Sequence, residues 1–494
     1  MKRGVLLVAL ACACCRAPGA GPGDRPIEMI VSTDAETLDP RYAGDAVALR
    51  ATRLIHAGLV RLDPSSLRPE PYLARGFRWV DPLTLRVELR DDVRFHSGAL
   101  FSSADVVATL RAFGSPAVGS RHASIVDAIA SAEADGPHAV IITLKRPHAT
   151  LLTDLELPIL RADQAAGPAD AHGTLDGLGP FAVKSFARGE LVLSPADTGA
   201  SPRPLHAVVI RTVRDENARA LRLHAGRADV ALNVLSPTLL PALGDSRELR
   251  LSARPGANLT YMVMRVDRPP LDDVRVRRAI SLAIDRAGIA RTLLAGYAQA
   301  ADTLLPPALW AYTPATSPLA FDPAEARRLL RDAGLSRLRV TLLTSTDRLR
   351  GTIARYLAQE LAEAGVELEV TPLELGTMLA RLAAGDFDAA TLQIPEVTEP
   401  NVLRVFMLGS LVPPMGANRG RIHDAAIDSL LEEGDRATSQ EARMRLYADL
   451  EARNRDELFL IPLWHEDQVT VTSERARAFV PSAEGRWLSL ASLP

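Results

Sequence analysis

Between residues 340 and 394 the chain alternates two kinds of segment, and this alternation limits the available folds more than any other feature. Residues 340–343 (VTLL), 366–370 (VELEV) and 387–394 (FDAATLQI) read as short strands. Residues 349–364 and 375–384 between them carry apolar residues at helical spacing. Strand–helix–strand–helix–strand order predicts an open α/β sheet with helices on its faces. Such sheets take ligands in the crevice at the carboxyl ends of their strands. A related mixture runs through the first half. Strands are expected at 27–32, 83–89, 139–144, 207–211 and 228–232. Helices are expected at 47–57, from Ser102 onward behind a hydroxyl cap, and at 217–226. Residues 272–285 read as one amphipathic helix, with Val276, Ala279, Ile280, Ala283 and Ile284 on a single face. A further helix is marked by Asp322 as cap, Pro323 in the first turn, Glu325 suited to a capping box and Gly334 as stop. At 494 residues the chain exceeds one core. Two or more α/β units predict lobes with a cleft between them.

The ends and the chemistry narrow the function. Lys2 and Arg3 precede an apolar run over 5–13. Nine helical residues rise about 14 Å, far short of a ~30 Å bilayer core, which predicts a cleaved export leader. All three cysteines, Cys12, Cys14 and Cys15, lie there. Cys14 and Cys12 each follow small residues, as lipidated cysteines do, and are the candidate anchor points; cleavage after Ala13 or Ala20 is the other reading. Residues 15–26 are rich in Gly and Pro and read as a flexible tether. A net charge of −3 leaves no electrostatic footprint for nucleic acid. Ten scattered histidines show no metal-ligand spacing. No nucleophile–base motif is present, so neither a catalytic residue nor a metal or other cofactor is expected. Asp386 and Asp388 flank Phe387 and read as a turn before a strand, not as a catalytic pair.

A series of short motifs, in order, carries a resemblance. They include Leu38-Asp39-Pro40, Gly58-Leu59-Val60-Arg61-Leu62-Asp63 and Leu89-Arg90-Asp91-Asp92-Val93-Arg94-Phe95-His96-Ser97-Gly98 with Ser103-Ala104-Asp105-Val106-Val107. Gly179-Pro180-Phe181, Gly226-Arg227-Ala228-Asp229-Val230, Gly385-Asp386-Phe387-Asp388 and Ile461-Pro462-Leu463-Trp464 follow. In this the chain resembles the family 5 extracellular solute-binding proteins of ABC transporters. The resemblance implies an α/β, two-lobed periplasmic-binding-protein fold with a hinge and an extra domain inserted in lobe I. Its expected division is a leader at 1–14, a tether at 15–26, lobe I at 27–47, 175–262 and 463–494, an inserted domain at 48–174, and lobe II at 263–462. The hinge crossings would lie near 262 and 463. Phe95 and His96 would pack and hydrogen-bond within the inserted domain.

The resemblance also implies a role: capture of a peptide or similar small solute between the lobes and delivery to an ABC transporter permease, outside the cytoplasm, by a monomer held to the membrane if lipidated. In peptide-binding members a lobe II carboxylate receives the ligand α-ammonium within a segment like W-x-x-D-Y-x-E-P. Here that segment is Gln393-Ile394-Pro395-Glu396-Val397-Thr398-Glu399-Pro400. Glu396 falls at the acid position, Gln393 where Trp is usual and Val397 where Tyr is usual, so these three are the candidate ligand-binding residues. Glu399, before Pro400, reads as a turn former. Loss of the aromatic walls fits a smaller or different ligand. It also admits an alternative, an exported lipoprotein of the same fold that has lost transport and acts as a sensor or partner-binding protein.

Overall fold

A computed structural model describes residues 25–168 and 174–494. The expected leader, Cys12, Cys14 and most of the tether lie outside the described residues.

Two large sheets organise the molecule. The first has seven strands: Leu249–Arg254, Gln468–Ser473, Val230–Leu232, Ile27–Val31, Val208–Thr212, Glu190–Pro195 and Phe181–Ala187, in that spatial order. Ile27–Val31 lies at its centre, parallel to both neighbours. The side-chain period of two divides the burial. Met29, Val31, Val230 and Leu232 face one core, which holds the helix Ala46–Ile55 and the C-terminal Phe479, Trp487 and Leu490. Ile30 and Ala231 face the other, with Leu223, Leu240 and Leu243.

The second sheet runs Ala298–Ala300, Leu460–Glu466, Leu259–Met264, Ala389–Ile394, Leu338–Ser345 and Val366–Leu373. Its last three strands are the alternating region foreseen from sequence, and Leu338–Ser345 pairs parallel with both neighbours. Met262, Met264, Val340 and Leu342 face a core with helices Val274–Leu282, Pro323–Asp332 and Arg348–Glu363. Tyr261, Val263 and Leu343 face another with helices Leu375–Ala384, Ala425–Arg436 and Gln440–Glu457. A third body, the four-stranded sheet Ala74–Asp81, Thr84–Leu89, Ala139–Leu144 and Ile129–Ala134, packs on helix Ser103–Phe113 around its own core.

Several local features depart from expectation. The single helix expected over 272–285 is two, Val274–Leu282 and Arg286–Thr292, because the Asp285 side chain caps the second by accepting from Gly288 N at 2.8 Å. Asp322 caps its helix as expected, but Glu325 turns to Arg328 at 2.6 Å instead of closing a capping box. His96, in a turn beyond the strand Thr84–Leu89, reaches past the expected inserted domain: its Nε2 lies 3.0 Å from Gly179 O, and its backbone N–H donates to Gly177 O. Gly179 is glycine because a Cβ there would press on the backbone of Leu54 and Ile55.

Leu259–Met264 and Leu460–Glu466 both belong to the second sheet, so the chain passes between sheets at 255–258 and at Asp467, not near 262 and 463. The two passages are stitched together. Asn258 donates from Nδ2 to Glu466 O at 2.7 Å and accepts from Glu466 N at 2.8 Å. Within the first sheet, just past Asp467, Asn233 donates to Gln468 Oε1 at 2.6 Å and accepts from Val469 N at 2.8 Å.

Candidate functional site between the lobes

Four strands from the two sheets end at one opening. Ile27–Val31 and Val230–Leu232 lead into Ser32, Thr33 and Asn233 on one wall. Leu338–Ser345 and Ala389–Ile394 lead into Asp347 and Pro395 on the other. The cavity between them has a volume of about 520 Å³, within the ~300–1,000 Å³ of small-molecule sites. This is the strand-end crevice expected of open α/β sheets, formed twice and face to face.

Helix Ala46–Ile55 brings the first charge. Asp45 caps it, accepting from Val47 N and Ala48 N at 2.9 Å each, and its apolar face is buried in the first lobe. That orientation carries Arg50 to the cavity wall. Burial lowers the Arg50 pKa, with the nearby Glu396 charge opposing the shift. Its Nε is buried without a hydrogen-bond partner.

The segment after Ile394 brings the second. Val397 N donates to Ala257 O at 2.7 Å, pinning the segment at the passage between sheets. Glu396 then stands with its carboxylate 3.9 Å from Arg50 Nη2, and its side chain is 21% exposed. Among the described residues Glu396 has this ion pair and no hydrogen bond. It borders a second cavity of about 270 Å³, along with Arg53, Glu156 and Arg486. Arg53 lies 3.6 Å from Glu156, and the buried Arg486 pairs with both Glu156 and Glu484. The pair Arg50–Glu396 therefore stands between the two cavities, in a cluster of three arginines and three glutamates.

Of the residues singled out from sequence, Gln393 lines the cleft and accepts from Arg350 Nη2 at 3.0 Å. Glu396 reaches the cleft margin through Arg50. Val397 does neither: it is fully buried among Tyr261, Leu403 and Ile394, so its side chain forms core and not wall. Glu399 is more than a turn former. It accepts from Arg443 Nη2 and from Thr153 Oγ1, both at 2.6 Å, and Thr153 follows the four-stranded body. Sequence reasoning missed Arg50, Asn233 and Asp467. Arg50 looks like any solvent-facing arginine on an amphipathic helix, and its partner lies far along the chain. Asp467 sits in the passage between sheets and lines the cavity; burial raises its carboxyl pKa, and its Oδ1 is buried without a partner. No group of three or more His, Cys, Asp or Glu among the described residues is placed to hold a metal ion.

Comparison with known proteins places this geometry. Residues 68–401 match the family model of bacterial extracellular solute-binding proteins, family 5. A probable di/tripeptide-binding protein of Pseudomonas aeruginosa (strain UCBPP-PA14) is 28% identical over 463 residues, covering 87% of this chain and 88% of that protein. The glutathione-binding protein GsiB of Escherichia coli (strain K12) is 29% identical over 392 residues, covering 76% and 75%. The structure of NikA from Brucella suis in complex with Fe(III)-EDTA superposes with a TM-score of 0.87 at 24% identity, covering 95% of this chain and all of the other. With its fold, its strand-end cleft and a match across two thirds of its length, the chain belongs to the bacterial extracellular solute-binding proteins, family 5.

Proposed function

We propose that this protein captures a short peptide or a similar small solute in the cleft between its sheets and presents it to an ABC transporter permease. The family is one of transport binding proteins, not enzymes. The observation that carries the reading is the convergence of four strand ends from two separately cored lobes on a cavity of about 520 Å³. A compact cavity of that volume is about 10 Å across, room for roughly three extended residues at ~3.3 Å each. Glu396, an acid without a hydrogen-bond partner among the described residues, is the proposed acceptor of the ligand ammonium, and Gln393 a wall residue. Lobe I is proposed to comprise the first sheet, lobe II the second, and the four-stranded body the insertion, with the hinge at 255–258 and Asp467. Two relatives are named for di/tripeptides and glutathione, which supports a ligand of this size. No observation favours a sensor that has abandoned transport.

Ligand held by both lobes draws them together by rigid-body rotation. Thermal-shift screening with di- and tripeptides identifies a ligand through the stabilisation RT ln(1 + [L]/Kd). Small-angle scattering at saturation then gives a smaller radius of gyration; an unchanged radius across all stabilising ligands counts against closure. The membrane anchor is a separate proposal, resting on Cys12 and Cys14. Labelled fatty acid is expected to enter the protein in its native host and to be lost when Cys12, Cys14 and Cys15 are replaced by Ser. Release of unlabelled protein would leave solute binding in place without an anchor or monomeric tethering to the membrane.

A further inference from the structure

The charges around the cleft say what kind of ligand end it is built to hold. Two arginines line the larger cavity. Arg219 is occupied, donating to the carbonyls of Val213, Arg214 and Val234 at 2.6–2.8 Å. The Arg50 guanidinium makes no hydrogen bond among the described residues. The other ionisable side chains lining that cavity, apart from the phenol of Tyr297, are the carboxylates of Glu216, Asp347, Glu466 and Asp467. A ligand carboxylate placed away from Arg50 therefore meets acids and no open cation, at a cost that grows as water is excluded. A ligand carboxylate belongs at Arg50.

Glu396 stands 3.9 Å from Arg50 and is likewise without a hydrogen bond among the described residues. The surrounding cluster already balances three arginines (Arg50, Arg53, Arg486) against three glutamates (Glu156, Glu396, Glu484). A lone ammonium or a lone carboxylate would leave one charge in surplus in this half-buried place. A group bearing both would not. In an α-amino acid the ammonium nitrogen and the carboxylate oxygens lie on the order of 3 Å apart, each a bond or two from a shared carbon. That spacing suits a cation and an anion that are themselves adjacent.

We propose that Arg50 and Glu396 together grip an α-amino-acid head, an ammonium and a carboxylate on one carbon, of a ligand whose remainder is uncharged or cationic. Arg50 takes the carboxylate through its planar fork of donors, and Glu396 takes the ammonium. The tail runs along the larger cavity toward Asp467. A free amino acid has such a head, and so does a peptide joined through a side chain. An ordinary peptide does not, because its first residue has spent its carboxyl in the peptide bond. The inference rests on the cleft being the solute site and on Glu396 being the ammonium acceptor.

Two isomers test it. Nε-alanyl-lysine and lysyl-alanine have the same composition and the same net charge, and only the first carries its ammonium and carboxylate on one carbon. Calorimetry on the wild-type protein is expected to show Nε-alanyl-lysine binding at least about tenfold more tightly. Arg50→Gln is expected to abolish that preference, and Glu396→Gln to weaken the same isomer. Should Arg50→Gln fail to fold, the methyl ester of Nε-alanyl-lysine on wild-type protein removes the same contact and is expected to lose at least about tenfold. Equal binding of the isomers, a preference for lysyl-alanine, or an ester that binds as well as the free acid overturns the inference while leaving solute binding intact. Binding of neither isomer also overturns it. Whether the solute-binding reading fails with it is decided separately by the di- and tripeptide screen.

Discussion

Glu396 and Glu399 stand three residues apart on one segment, yet their surroundings assign them different work. Glu396 has one cation at 3.9 Å, no hydrogen bond among the described residues, and a place on the wall of the smaller cavity. Glu399 is saturated by Arg443 and Thr153 and is nearly buried, as is Arg443. Glu396→Gln should leave the melting temperature almost unchanged and weaken binding of any ligand with a free ammonium by about thirtyfold or more, since losing one partner of a desolvated charged hydrogen bond costs roughly 2–5 kcal/mol. N-acetylating that ligand should cost wild-type protein a similar factor and the variant little more. If acetylation costs the variant the same factor as wild type, Glu396 and the ammonium are not coupled. Glu399→Gln should instead destabilise the fold by about 3 kcal/mol, because it strands Arg443 in a buried place; denaturant titration measures it. That reverses the expectation from sequence, where Glu399 was only a turn former. The resemblance of 393–400 to the family segment picked out a stretch whose Gln393 lines the cleft and whose Glu396 meets Arg50 at its margin. It misplaced Val397 and undervalued Glu399 because their neighbours, Ala257 and Arg443, are distant in sequence.

Elements were legible where one end or one face announced itself. Ser102 and Asp322 cap helices, and the strands and helices between 338 and 394 keep their order. Elements were illegible where burial is complete or its chemistry unusual. Leu259–Met264 is buried at every position, so it shows no alternation. Helix Gln440–Glu457 buries Arg443, Glu451 and Asn454 along with Tyr447 and Leu450, so its inner face is not apolar. The passages between the sheets lie several residues from the 262 and 463 expected for a related reason: what marks them is the side-chain hydrogen bonds of Asn258 to Glu466, not a change in composition. Gly256 lies in the first of these passages, the proposed hinge. A Cβ there would overlap the carbonyl oxygen of Glu466, the residue just before the other passage. Gly256→Ala should therefore push the passages apart, lowering the melting temperature and altering the radius of gyration with and without ligand. Unchanged scattering and melting would show that this contact does not set the hinge.

At the scale of the whole molecule, the body carrying 148–154 meets the second lobe away from the cleft. Ala149 N donates to Asp435 O at 2.9 Å, and Thr153 reaches Glu399. His148 lies within this junction, 2.7 Å from Asp154, 3.0 Å from Thr150 Oγ1 and 3.6 Å from Asp435 across it. Burial pulls the His148 pKa down, but the two carboxylates outweigh it and hold the group at about 9. The charges of Arg404 and Arg146 also act on Asp435 and, with that of His148, hold its carboxyl below the usual range against the effect of burial. A histidine whose pKa is raised from its ordinary 6.5 stabilises the joined form fully below pH 6.5 and loses that contribution as pH rises through about 9. Asp154 travels with His148, so only the share owed to Asp435 is lost when the lobes part. At 3.6 Å in a half-solvated junction that share is on the order of 1 kcal/mol, about fivefold in affinity. Ligand affinity should thus fall about fivefold between pH 7 and pH 10, and the liganded radius of gyration should drift upward. His148→Gln, which cannot carry the proton, should bind more weakly at pH 8 and show a flat profile. If its affinity declines with pH as steeply as wild type, the proton belongs to another group and the His148–Asp435 contact does not hold the lobes together.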